Sequence, residues 1–149
     1  MQLNKVPLKF LIIAVLSVII NFRALAGNPV SEILLDNDTI RISSTLVNFP
    51  DTVNGFDGDY YQLKFENKIA STIYVTWDLE LKYEDMCINC AETKKPEYYR
   101  AITLKPNQIF ESNCKKVEDR KYVMLKKFNN MDSKVLVNFF LRNLKTSKI

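Results

Sequence analysis

A chain of 149 residues, 47% hydrophobic and 26% charged, has the length and balance of one globular domain rather than of a disordered or fibrous polymer. Histidine is absent, which removes the commonest general base, every Ser-His or Cys-His nucleophile pair and the commonest metal ligand. With only three glycines there is no Gly-rich loop to cradle a phosphate, so the composition points to a non-enzymatic protein that needs no cofactor.

The first element in the chain is a targeting segment. Lys5 and Lys9 precede the apolar run Phe10–Ile20, and Ala24-Leu25-Ala26 places small residues where a signal peptidase cuts. The run is shorter than the roughly 20 residues that span a bilayer core. Residues 1–26 are therefore expected to be a signal peptide cleaved near Ala26, leaving a single domain over 27–149 that is secreted or periplasmic, with no stable membrane insertion. Losing Lys5, Lys9 and Arg23 takes the 21 basic residues to 18 against 17 acidic ones, a net charge of +1 instead of +4. Nothing in that balance attracts nucleic acid. The charge is uneven, with 8 basic and 14 acidic residues over 27–114 and 10 basic and 3 acidic over 115–149. Cross-strand pairing of the two halves is the plain reading, and a basic face for an acidic partner the functional one.

Strand signals dominate the rest of the chain. "DTIRISSTLV" (38–47) is the opening strand, and "NFPDTVNGFDGD" (48–59) is loop, with Asn54-Gly55 as a turn signal. "YYQLKFEN" turns Tyr61, Leu63 and Phe65 one way. The stretch 72–83, TIYVTWDLELKY, alternates over twelve residues with Ile73, Val75, Trp77, Leu79, Leu81 and Tyr83 on one face. The link Asn67–Ser71 predicts a hairpin between these two. "EYYRAITL" (97–104) and "QIFESNC" (108–114) are strands about a turn at Pro106, and "KYVMLKKF" (121–128) and "SKVLVNFFLRNLK" (133–145) form a last hairpin across "NNMD". About seven short strands without a helix predict an all-β antiparallel sandwich of immunoglobulin-like type, with a partly closed β-barrel as the competing architecture.

Side chains that stand out have plain explanations beside functional ones. Asp51, Asp57 and Asp59 share a loop and could supply oxygen ligands to calcium, but no calcium-loop motif is matched and solvated acids are the simpler reading. Asn37-Asp38-Thr39 fits a glycosylation sequon. Tyr60, Tyr74 and Tyr99 fall on outward positions and form a candidate patch for a glycan or protein partner, unless loops cover them. Export puts Cys87, Cys90 and Cys114 in an oxidising compartment, and the strand order predicts that all three meet at one pole. A thioredoxin-type centre needs a helix after the Cys-x-x-Cys, where Pro96 and a strand stand instead. Two structural readings remain, a local Cys87–Cys90 ring, placed first, or a bond from either to Cys114. The alternative is a soft-metal site, monovalent copper on Cys87, Cys90 and Cys114 with Asp85 or Met86 adjacent.

Asn54-Gly55, "YYQLKFENK", "WDLELKYEDMCINCAETKKPEY", "LKPNQIFESNC" and a late "FFLRNLK" together resemble, over about residues 47–145, a group of small exported bacterial proteins. The group is identified by a Cys-x-x-Cys followed by a strand-terminal Cys. The resemblance implies an immunoglobulin-like β-sandwich and export, and brings no activity. Members carry a fourth cysteine before the Asn-Gly loop, near the place of Phe49 here. By that comparison Cys114 lacks its partner and Cys87–Cys90 is the bond. The functional expectation is a binding or interaction module of the envelope or extracellular space, with an unidentified protein or glycan as partner. The alternative is a periplasmic copper binder.

Overall fold

The computed structural model describes residues 31–55, 57–90, 95–129 and 132–149; the expected signal peptide and its cleavage point at Ala26 lie outside them. Among the described residues nine strands follow in chain order: β1 (Ser31–Asp36), β2 (Ile40–Phe49), β3 (Gly58–Asn67), β4 (Ile73–Tyr83), β5 (Cys87–Ile88), β6 (Tyr99–Leu104), β7 (Ile109–Glu111), β8 (Val123–Phe128) and β9 (Leu136–Lys148). They build two antiparallel sheets that face each other without closing into a barrel, so the fold is a β-sandwich.

In the first sheet β1, β2 and β3 lie side by side. The far edge of β3 is shared, with β8 opposite residues 58–62 and β7 opposite 64–66. In the second sheet β4 is central. β9 runs along one edge of it from Ile73 to Tyr83, and the other edge is divided between β6 and the two-residue β5. One sheet is thus four rows wide and the other three.

The alternation of the sequence decides which atoms leave water. Ile40 and Ile42 of β2, Leu63 and Phe65 of β3, and Ile73, Val75, Trp77 and Leu79 of β4 all point into the interlayer space, where each is at most 4% exposed. Burying each such side chain contributes about 1.5–3 kcal/mol. An aromatic cluster occupies the centre. Phe65 and Trp77 have ring centroids 5.1 Å apart, and Tyr122 stands 6.1 Å from Trp77. Tyr122 leaves the short 3₁₀ turn Val117–Tyr122 on the first sheet's side and donates its hydroxyl proton to the Ala101 carbonyl of β6, 2.9 Å away, so one ring links the two layers. The Trp77 indole N–H is buried and has no hydrogen-bond partner among the described residues.

Three expected hairpins are not hairpins. β3 and β4, β6 and β7, and β8 and β9 each lie in different sheets, so all three links cross between layers. Asn67 shows how the first crossing is held. It is 1% exposed, and its Nδ2 donates to the carbonyls of Ser71 (2.8 Å), Lys105 (2.8 Å) and Leu104 (3.3 Å), while its Oδ1 accepts the Ile69 N–H (3.2 Å). One amide therefore ties the β3–β4 link to the β6–β7 turn. Ser112 has a comparable task where β3 passes from β7 to β8. Its buried hydroxyl accepts the Leu63 N–H at 3.0 Å and donates to the Tyr122 carbonyl at 3.2 Å.

Part of the opposed charge of the two chain halves is taken up in ion pairs. Lys127 meets Asp59 (3.6 Å), Lys134 meets Asp85 (2.7 Å) and Arg142 meets Glu80 (3.3 Å), each joining a late basic residue to an early acidic one.

Candidate functional site

The outer face of the second sheet carries the candidate site. Outward positions alternate with the buried ones, so Tyr74, Thr76 and Asp78 of β4 share a face, and the register sets Thr76 opposite Ala101 and Asp78 opposite Tyr99 of β6. Tyr74 and Tyr99 are 37% and 49% exposed. The interaction of its side chain with the Tyr99 hydroxyl raises the Tyr74 phenol above its ordinary value. On the other side β9 bulges. The register slips opposite Trp77, and Asn143 adopts a left-handed conformation (φ 52°) that sends its Nδ2 to the Asp78 carboxylate at 2.8 Å. An extra residue in one strand re-aims a side chain in this way. The result is a shallow trough of about 930 Å³ whose lining includes Tyr74, Thr76, Asp78, Tyr99, Asn143 and Lys145.

Tyr60 does not belong to this surface. It sits in the other sheet and is 8% exposed, covered on its outward side by Phe49, whose ring centroid is 6.4 Å away, and by the segment that brings Cys114 and Arg120 alongside. The three-tyrosine patch expected from sequence is therefore a two-tyrosine patch. Alternation says which way a ring points and nothing about what covers it.

Cys87 and Cys90 lie on the loop that follows β4. β5 pairs Cys87 with Lys82. Between the two cysteines Asn89 takes a left-handed conformation (φ 61°), donates to the Leu79 carbonyl (2.9 Å) and accepts the Lys95 N–H (2.8 Å). So held, the two cysteines stand with Cα atoms 5.8 Å apart and form a disulfide, within the usual range for such a bond. Cys114 is elsewhere, free and half-buried on the first sheet's side, where its sulfur accepts from Gln62 Nε2 at 3.1 Å. Burial holds its thiol above the ordinary cysteine value. The expected meeting of three cysteines fails because β7 crosses to the other layer and takes Cys114 with it. Phe49 and Cys114 line the same cavities, so Phe49 occupies space facing the free thiol.

Among the described residues the one cluster with metal-ligand spacing is Glu80, Cys87 and Cys90, whose donor atoms lie within 4.8 Å of one another. Cys114 is not in it. Asp85 and Met86, the neighbours considered as further ligands, are both engaged by Lys134 Nζ, at 2.7 and 3.5 Å. The loop acids do not gather either: Asp51 holds Asn54, Asp57 holds Asn129, and Asp59 holds Asn48. The side-chain oxygen of Asn37, in the sequon, is occupied in an Asx turn, accepting the N–H groups of Thr39 and Ile40 at 2.9 Å each. No helix among the described residues is long and apolar enough to cross a membrane. Compared with known proteins, the chain matches no family model, no curated protein and no solved structure.

Proposed function

We propose that this is an exported, non-enzymatic binding module that takes a glycan on the outer face of its second sheet. The observation that carries the reading is the Tyr74–Tyr99 pair. Two partly exposed tyrosines line one trough, and aromatic rings so placed stack against the C–H faces of sugars. Beside them Asp78, Asn143, Thr76 and Lys145 offer donors and acceptors for hydroxyl groups. A few polar groups around aromatic surface are the usual composition of a recognition site. Lack of histidine supports binding over catalysis, and the N-terminal pattern supports export. The test is a glycan array followed by calorimetry. Tyr74→Ala and Tyr99→Ala should each weaken the selected glycan about tenfold or more, the loss expected for one buried aromatic contact, with melting temperature unchanged. An empty array, or variants that bind like the parent, would end this reading.

A second reading rests on Glu80, Cys87 and Cys90. If an external dithiol reduces the disulfide, two thiolates and a carboxylate stand close enough to share an ion, and that donor set suits zinc better than copper. Protein isolated without reductant and found with all three thiols alkylatable and stoichiometric metal would favour it; one alkylatable thiol would exclude it.

A further inference from the structure

The outer face of the first sheet carries a second concavity, on the side of the sandwich away from the trough. β3 and β8 pair Tyr60 with Leu125 and Gln62 with Val123, and alternation keeps these side chains on the face opposite the buried Leu63 and Met124. The segment between β7 and β8 passes alongside and brings Cys114, Lys115 and Arg120. Two cavities result, sharing Phe49, Cys114 and Arg120 as walls. The inner one, about 160 Å³, is completed by Tyr60, Val123 and Leu125. The outer one, about 470 Å³, opens toward Asp51, Asn54 and Lys115.

The moving part of such a site would be that segment, and it is tied down. Asp119, 6% exposed, accepts the Asn113 N–H at 3.1 Å, and Asn113 Oδ1 accepts the Lys115 N–H at 2.9 Å. Gln62 Nε2 reaches from the sheet to Cys114 Sγ at 3.1 Å. The space is therefore pre-formed, as ligand sites usually are.

Size and lining select the occupant. An apolar cavity of about 150 Å³ holds one benzene ring, and the inner chamber offers that room between two aromatic walls, two aliphatic ones and a thiol. At its threshold Lys115 Nζ stands 6.0 Å from the centroid of the Phe49 ring, which walls both chambers. Lys115 has no carboxylate partner among the described residues, and the acid that shares the outer chamber, Asp51, already accepts the Asn54 N–H (3.1 Å) and Nδ2 (2.9 Å).

We propose that this two-part cavity binds a small arylalkyl carboxylate, its ring in the inner chamber against Cys114 and its carboxylate at Lys115 in the outer one. Burial of the ring supplies affinity and the ammonium group fixes orientation, the usual division between an apolar lining and a few placed polar groups.

Cys114 serves as the reporter. It is free while Cys87 and Cys90 are bonded to each other, so its alkylation by iodoacetamide, followed by intact mass, reads coverage of the inner chamber. The probe is phenylacetate, with phenylethanol as the uncharged control. The acid should slow alkylation about tenfold or more at saturation. It should also shift the Val123 and Leu125 methyl resonances in NMR and leave Tyr74 and Tyr99 unmoved. Val123→Phe, checked for an unchanged fold by circular dichroism, puts a ring of its own in the chamber and should abolish protection. Lys115→Gln, at an exposed position, should weaken the acid about fivefold and leave the alcohol unchanged. Absence of protection by the acid, protection that persists in folded Val123→Phe, or equal affinity of acid and alcohol for the parent protein overturns the proposal.

Discussion

Replacing Asn67 tests whether the sheet crossing is held as described. The Asn67 amide offers two protons to three carbonyls and accepts one N–H, all at a position 1% exposed. Asn67→Ala removes every one of these bonds where water cannot readily replace them. A typical hydrogen bond contributes about 1 kcal/mol net, and a buried group left unsatisfied costs about 1–3 kcal/mol. Three to four such groups add up to a loss of about 3–5 kcal/mol, a large part of the 5–15 kcal/mol that holds a domain of this size. Urea unfolding should show the midpoint falling with an unchanged m-value. Asn67→Asp supplies a sharper signature. Its carboxylate would face three carbonyl oxygens, so its folded-state pKa must rise. The neutral acid can donate one bond, and the variant should therefore gain stability relative to the parent as pH falls from 7 toward 4. A loss below about 1 kcal/mol for Asn67→Ala, with no pH dependence in Asn67→Asp, would refute the assignment of the crossing to this side chain.

The Cys87–Cys90 bond closes a ring of four residues, for which loop entropy predicts at most about 2 kcal/mol; a larger fall in unfolding free energy under reductant would mean that the bond does more than close its own loop. Ser112→Ala should cost about 1–3 kcal/mol by leaving the buried Leu63 N–H without an acceptor, read by urea titration. Asp36 bridges Arg41 (2.9 Å) and Lys68 (3.0 Å), and those hydrogen bonds hold its carboxyl below the ordinary value of 3.8. Its contribution is therefore complete above that value and disappears as pH drops through the lower folded-state one. Amide exchange in β1 should accelerate there ahead of β3, and Asp36→Asn should abolish that acid-dependent acceleration.

How much of the structure is legible in the sequence differs by kind of feature. Faces are legible: the inward set of β4, from Ile73 to Leu79, follows directly from period-two alternation. Partners are not, because alternation says which way a side chain points and nothing about which strand lies alongside. That is why three layer crossings read as hairpins and why the sequence sets Cys114 beside Cys87. β1 escapes notice since Ile33, Leu34 and Leu35 are consecutive apolar residues about a register shift, without alternation to mark them. Within the candidate site, Tyr74 and Tyr99 are visible as outward rings. Asn143 is not, since only a bulge brings it to Asp78.

The chain has a single tryptophan, buried between the layers and with no polar atom among the described residues bonded to its ring nitrogen. Its emission in the folded protein should consequently lie toward the blue. Parting of the two layers would admit solvent to it and move that emission to the red, so intrinsic fluorescence furnishes a label-free gauge of global opening.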